Sequence, residues 1–278
     1  MFNGVRRIIS VSAGGAVSFF CEIWAKKYAV YQLVKRDLKE RYIGSYFGLV
    51  WALLQQALLV TVMWFVLQFG LRVRPAGNVP FVAWIVPAMA VWVLFSEALN
   101  TAANSLISYS YIVKKIQFKL SILPLIKVLS AAVIHFIFLF LVVLVLLISG
   151  ISPSLFWLQS AYYFAACICL VLGTAWLASA VMVFFRDLAA GIVILLNLLM
   201  WMTPIYWNME MIPERFRFLC YLNPVCYLTE GYRRSFLYGV PFWKDPSWGI
   251  YFWGVTFCLM AAGIFVFRKL KPHFADIL

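Results

Sequence analysis

Charge is what this sequence has least of. Asp, Glu, Lys and Arg make up 12% of its 278 residues, against about 25% in an ordinary soluble domain. Acids are scarcest: 10 Asp and Glu stand against 23 Lys and Arg, a formal net charge of +13. Histidine occurs only at 135 and 273, with no H-E-x-x-H and no His or Cys pair at metal-ligand spacing, so no metal site is nominated. Neither G-x-x-x-x-G-K-[ST] nor G-x-S-x-G is present, which removes a phosphate loop and a serine-hydrolase elbow. No catalytic residue is nominated, and the chain reads as a non-enzyme. The six cysteines are scattered. Cys167 and Cys169 sit in an apolar run as packing residues. A bridge between Cys220 and Cys226 stays open, without a framework of spaced cysteines to support it.

What is abundant is apolar: 65% of residues are hydrophobic and 18% aromatic. No soluble core needs that much, so the chain reads as an all-α integral membrane protein. No aromatic–basic nucleic-acid motif accompanies the positive charge. The basic residues are read as facing anionic lipid heads and setting topology, with no nucleic-acid partner.

A spanning helix needs about 20 mostly apolar residues. Six segments qualify: 46–70, 80–102, 122–149, 156–184, 188–207 and 248–267. With the N-terminus inside, sixteen Lys and Arg fall on the cytoplasmic side and seven outside. That asymmetry favours both termini in the cytoplasm. The predicted organisation is a cytoplasmic arm and interface helix over 1–45, a transmembrane domain over 46–267 and a cytoplasmic tail over 268–278. Residues 1–24 mimic a signal peptide, but Ser and Gly dilute the apolar part and no clean cleavage site follows, so they are read as an uncleaved arm.

Two cytoplasmic segments are organised. In 21–42, Trp24, Tyr28, Tyr31, Val34 and Leu38 share one helical face, with Lys and Arg over much of the remainder. This pattern predicts an amphipathic helix lying flat in the interface. The segment 104–119 is short, mixed and basic; it is either a plain loop or a helix presented to a cytoplasmic partner.

Between the last two spans lies RFRFLCYLNPVCYLTEGYRR, residues 215–234. Its apolar part, 218–229, reaches about 18 Å as helix, short of the roughly 30 Å hydrocarbon core. Pro224 disfavours helix at Asn223. A re-entrant pair of short helices is expected, roughly 213–222 and 225–238, turning at Asn223-Pro224. Arg215, Arg217, Arg233 and Arg234 are expected at its two mouths, near the outer headgroups. A surface-lying amphipathic hairpin is the plainer alternative.

Other candidates are weaker. His135, mid-span, reads as a packing or hydrogen-bonding residue. Glu97 and Lys127 lie at similar depth and are expected to pair. Asn197, Trp201 and Asn208 share a face in span five, with Pro204 to bend it. In span one, Gly44, Gly48, Trp51 and Gln55 share one face, and Thr61, Trp64 and Gln68 share another. Ala165, Cys169 and Gly173 form a close-packing stripe.

Four stretches carry a resemblance: LVKRDLKERYIGSYFGLVWALLQQ (33–56), FFRDL (184–188), TPIYW (203–207) and YLNPVCYLTEGYRR (221–234). Together they resemble permease subunits of type-two ABC exporters, in the branch that exports O-antigen, capsule and teichoic acid. Gln56 stands where that pattern carries proline. The resemblance implies a multi-pass protein of the bacterial inner membrane. It implies a channel built by two copies and a separate ATP-binding subunit carrying ATP and magnesium, with no cofactor in this chain. It implies a polyprenyl-pyrophosphate-linked polysaccharide, O-antigen-like, moved outward. On that reading the path is lined by Trp51, Gln55, Trp64, Asn197, Trp201, Tyr206, Tyr221 and Tyr227. Lys35, Arg36, Lys39 and Arg41 meet either the pyrophosphate head or anionic lipid. Trp24, Tyr28, Ser105, Ser108, Tyr109, Lys114 and Lys115 contact the ATPase. The competing readings are an exporter of a drug or other lipid, a membrane glycosyl- or acyltransferase, and a secondary transporter.

Overall fold

A computed structural model of the chain describes residues 27–42, 48, 50–70, 72, 79–110 and 120–278. Trp24, Lys114 and Lys115 therefore lie outside the described residues, as do the arm over 1–26 and the stretch 111–119.

The described chain is helical throughout. It opens with α1 (Lys27–Tyr42) and α2 (Val50–Phe65), which runs unbroken through Gln56 and ends in a π-helical turn, Val66–Gly70. Then come α3 (Phe81–Ala103), the single turn α4 (Ser105–Ser108), α5 (Ile122–Ile148) and α6 (Ser160–Met182), the last preceded by a 3-10 segment, Leu155–Gln159. After α7 (Leu188–Met202) follow the short α8 (Phe218–Leu222) and α9 (Pro224–Arg233), then α10 (Pro246–Leu270) and α11 (Phe274–Ile277).

Among the described residues five helices are long and apolar enough to cross a membrane: Val50–Gly70, Phe81–Ala103, Ile122–Ile148, Leu155–Met182 and Pro246–His273. The fifth predicted segment, 188–207, is helical only over Leu188–Met202, 15 residues. At about 1.5 Å per residue α7 reaches about 22 Å, below the roughly 30 Å core. Proline explains the stop. Pro204 pushes the residue before it out of helical space, and Thr203 is extended (φ −90°, ψ 134°). Pro204 was expected to bend a helix; it ends one.

α3 is the axis of the bundle. Its residues from Ala83 to Ala90 are almost wholly buried, under α5, α6 and α9. α6 packs closely on α10. A Cβ on Gly173 would stand 2.7 Å from Met260 N, and one on Gly263 would stand 2.3 Å from Gly173 O. Only glycine permits that approach. Of the expected small-residue stripe, Gly173 makes this contact, whereas Ala165 is exposed. His135 fills the core as expected. Its Nδ1 donates to Ala90 O (3.1 Å), which leaves Nε2 to accept from the Tyr232 hydroxyl (2.9 Å).

α1 docks by a stripe the aromatic pattern concealed. Val30 and Asp37 are buried and Leu33 and Val34 pack on the core, while Tyr28 and Tyr31 point away from it. Asp37 receives hydrogen bonds from Lys127 and from the Tyr109 hydroxyl (3.1 Å). Arg41 bridges Asp37 (3.4 Å) and Glu97. The expected Glu97–Lys127 pair is thus replaced by two pairs, Glu97–Arg41 and Lys127–Asp37, because α1 inserts an acid and a base between them. Burial pushes the Asp37 carboxyl up, but the Lys127 hydrogen bond and the Lys127 and Arg41 charges outweigh it, so the net pKa is lowered.

The segment after α7 breaks where expected and is tied down in a way that was not. Asn223 caps α9: its side-chain oxygen accepts from Val225 N (3.0 Å), with Pro224 at the first helical position. Its amide donates to Thr203 Oγ1 (2.9 Å). Arg233 corrects the expected picture of four arginines at the mouths. It is fully buried. Nε donates to Trp84 O (3.2 Å), Nη2 to Ile205 O (2.8 Å), and Nη1 to Pro204 O and Glu230 Oε1 (2.5 Å each). The guanidinium carbon lies 3.6 Å from the Trp84 ring centroid. One side chain therefore holds α3, α9 and the extended segment after α7 together. Of the other three, Arg215 is exposed and Arg217 and Arg234 are half-buried. Cys220 and Cys226 are free, buried thiols.

Two outcomes follow. Arg233→Met leaves three carbonyls and Glu230 without their donor, a cost of about 3–5 kcal/mol; the thermal unfolding midpoint of the purified protein in detergent falls, and Arg233→Lys restores only part of it. Asp37→Asn loosens α1 alone: hydrogen exchange rises over 27–42 and stays unchanged in α3 and α6. Because the folded Asp37 pKa is depressed, its contribution is full above the unfolded value of about 3.9 and is lost as pH falls through the lower folded value.

Candidate functional site

Three helices that are poor in charge turn polar residues toward one another. α2 presents Gln55, Leu58, Leu59 and Val62, at i, i+3, i+4 and i+7. α7 presents Val193, Leu196, Asn197 and Met200 in the same pattern, and α3 closes the floor with Trp92, Val93, Ser96, Glu97 and Asn100. The result is a groove of about 740 Å³, apolar along its walls and studded with the amides of Gln55, Gln56, Asn100 and Asn197.

Polar amides inside apolar helices are costly unless they meet a partner or water. Among the described residues the side chains of Gln55 and Asn197 make no hydrogen bond, and the buried Gln56 Oε1 has no donor. Glu97 joins the groove to the ion pairs under α1, since Arg41 binds it from outside the cavity. The site thus offers unspent hydrogen-bonding capacity, apolar walls and one compensated charge. That suits a ligand with polar and apolar parts. Among the described residues no three His, Cys, Asp or Glu side chains cluster as metal ligands.

Of the eight path candidates, Gln55 and Asn197 line this groove. Trp51 and Trp201 are exposed on the same two helices. Trp64 donates its indole N–H to Gln68 one turn on, away from the groove lining. The Gln55 side of α2 therefore faces the cavity. Tyr206 is buried against Trp201, with ring centroids 5.9 Å apart. Tyr227 is buried with its hydroxyl 3.1 Å from that of Tyr162, and Tyr221 is exposed near α10. These three belong to the far end of the bundle, with α9.

The basic cluster divides. Lys35, Arg36 and Lys39 are exposed, Arg36 pairing with Glu40 (2.6 Å), whereas Arg41 is drawn inward to Glu97. Of the expected ATPase contacts, Ser105 and Tyr109 are buried against the bundle, and Tyr28 and Ser108 are exposed. Sequence reasoning missed Gln56, Ser96, Glu97 and Asn100 as groove residues. The available signal was the i, i+1, i+4 spacing of Ser96, Glu97 and Asn100 on α3 and the pairing of Gln56 with Gln55 in an apolar run. It also missed Asp37, the one acid on a docking stripe.

Comparison with known proteins agrees with this architecture. The family model described as "ABC-2 type transporter" matches residues 28–237. An O-antigen export system permease protein RfbA of Klebsiella pneumoniae is 29% identical over 248 residues, 88% of this chain and 93% of the relative. A protein of the same name from Myxococcus xanthus is 25% identical over 260 residues, 92% of this chain and 97% of the relative. With most of its length, from α1 through the π-helical turn after α9, inside the family match, the chain belongs to the ABC-2 type transporter family.

Proposed function

We propose that this chain is the permease subunit of an ATP-driven exporter that carries a polyprenyl-pyrophosphate-linked polysaccharide outward across a bacterial inner membrane. The observation that carries the reading is the groove between α2, α3 and α7, where unpaired amides line an otherwise apolar cavity. Similarity to proteins named as O-antigen export permeases supports the substrate class. ATP hydrolysis belongs to a separate subunit, and this chain contributes no catalytic residue.

On this reading the chemistry comes in sequence. α1, with Lys35, Arg36 and Lys39 outward, lies at the cytoplasmic surface and collects an anionic head. The groove begins beside it, at Glu97 and Asn100, and its amides meet sugar hydroxyls while the prenyl tail stays in lipid. Many weak contacts of this kind let a long polymer slide without a deep trap. A second copy faces α2 and α7, whose outward surfaces are largely exposed in the single chain. α1 and α4 receive the ATPase through exposed residues such as Tyr28 and Ser108, and the Asp37 network makes α1, α3 and α5 move as one body.

The same reading counts six crossings. α7 completes the fifth with the extended segment 203–208, and α8 and α9 form the re-entrant pair at the outer face. Non-helical backbone at membrane depth is tolerated only when its polar groups are satisfied by protein or a wet cavity, and Arg233 takes the carbonyls of Pro204 and Ile205.

The double variant Gln55→Leu/Asn197→Leu tests the groove. Surface polysaccharide falls at least about tenfold in cells lacking the native copy, at unchanged protein level; normal export removes the groove from the path. ATPase activity of the complex that responds to a hydrophobic drug and ignores glycolipid would instead favour a drug or lipid exporter. Topology is tested separately with Glu214→Cys in a cysteine-free background. A membrane-impermeant maleimide labels it from outside in intact spheroplasts, and labelling only after lysis overturns the six-crossing arrangement.

A further inference from the structure

A second cavity, of about 360 Å³, lies at the end of the bundle opposite α1. Its lining comes from the start of α3 (Trp84), the 3-10 turn after α7 (Glu210), α8 (Tyr221), α9 (Glu230) and the start of α10 (Trp248). A groove of about 500 Å³ adjoins it and shares Tyr221 and Trp248. Those two rings meet edge to face, with centroids 5.0 Å apart at 74°. Both volumes fall in the range of about 300–1,000 Å³ usual for small-molecule sites.

The chemistry of the lining selects a ligand class. Two arginines border the cavity, and both are engaged. Arg234 pairs with Asp245 (2.5 Å), and Arg217 binds Ile212 O (3.2 Å) and lies 3.7 Å from Glu214. Arg233 is buried behind Trp84 and spends its charge on Glu230. The lining balances two arginines against two glutamates, and each arginine already lies beside a carboxylate, so an anionic group would have to compete for it and a neutral ligand is favoured. The two carboxylates are different. Glu230 uses Oε1 for Arg233, and Glu210 uses Oε2 for the Asn208 amide (3.2 Å). Each keeps one oxygen that no described residue binds. An ionised carboxylate only accepts hydrogen bonds, so the ligand must bring donors. Around these acceptors stand aromatic rings, which stack on weakly polar C–H faces. Hydroxyl donors at the edge and C–H bonds on the face together describe a sugar ring.

We propose that this pair of cavities is a binding site for neutral sugar residues of the transported glycan, separate from the groove between α2, α3 and α7. The site rests on the export reading above and deepens it: a glycan seated against the re-entrant pair links its passage to the element that closes the outer end.

The test uses the purified complex of this chain with its ATPase in detergent. The probe is a lipid-free oligosaccharide of a few repeat units, released by mild acid from the host's own surface polysaccharide. Binding is read by saturation-transfer NMR and by tryptophan fluorescence. Tyr221→Ala weakens binding about tenfold and Glu210→Gln several-fold, as expected for one aromatic face and one charged acceptor. Ile148→Ala, exposed at the end of α5 and outside both cavities, retains the fluorescence response. Both point variants elute as monodisperse protein, since each side chain lies at the surface. Equal binding by wild type, Tyr221→Ala and Glu210→Gln overturns the proposal, as does displacement of the oligosaccharide by ethanolamine, which would mark a cation site. If this chain is needed for polysaccharide export while the variants bind normally, only the sugar site fails. If cells without this chain still export, the export reading fails instead.

Discussion

A buried guanidinium organises one end of this protein. A charge with no solvent contact is expensive unless every direction is answered, and Arg233 is answered on all sides. Three backbone carbonyls and one carboxylate accept its N–H groups, and an indole face covers its plane. The reverse dependence matters as much. The chain from Thr203 to Ile205 cannot be helical because Pro204 forbids it, and it is buried all the same. The Thr203 carbonyl accepts from Ile205 N (2.7 Å), but those of Pro204 and Ile205 need donors from outside the backbone. Arg233 supplies them, and Asn223 ties Thr203 to the neighbouring turn. Two separate stretches of the sequence, TPIYW and YLNPVCYLTEGYRR, are thus halves of one knot.

The opposite end is held by charge of another kind. Lys127, Asp37, Arg41 and Glu97 form a chain of alternating sign across α5, α1 and α3. Such a chain fixes register, because shifting α1 by one residue would put an unpaired charge against apolar walls. A helix held this way transmits a push as a lever, whereas a helix held only by lipid would slide. Glu97 belongs both to this chain and to the groove, so the lever and the cavity share a residue. On the proposed export reading, with ATP hydrolysis on a separate subunit, a rigid joint of this sort would carry motion from the surface into the bundle.

Much of the fold was readable in advance. Length and hydropathy located the long helices to within a few residues, since only a continuous apolar run can satisfy both lipid and backbone. Proline located the break at Asn223-Pro224 through local sterics alone, whereas Pro204, expected to bend a helix, ends one. The candidate site was half readable. Asn197 stood out as an amide within an apolar run and Gln55 as a member of one face of the first span, and both line the groove. Ser96, Glu97 and Asn100 face them from α3, and that meeting depends on how three helices cross, which no periodicity encodes. The side of α2 that faces the cavity was open for the same reason.

Charge pairing shows the boundary most clearly. Equal depth suggested Glu97 with Lys127, but depth along a bundle says nothing about what lies between two helices, and α1 lay between them. Arg233 and Arg234 are neighbours at the end of one apolar stretch, identical in type and local context. One is wholly enclosed while the other is half-buried against Asp245. The sequence by itself determined that this chain lives in a membrane, where its helices run and where they must break, because those follow from solvation and backbone geometry over short distances. Only the tertiary structure decided which arginine became the centre of the knot and which amides met across the groove, because both depend on surfaces that different helices bring together.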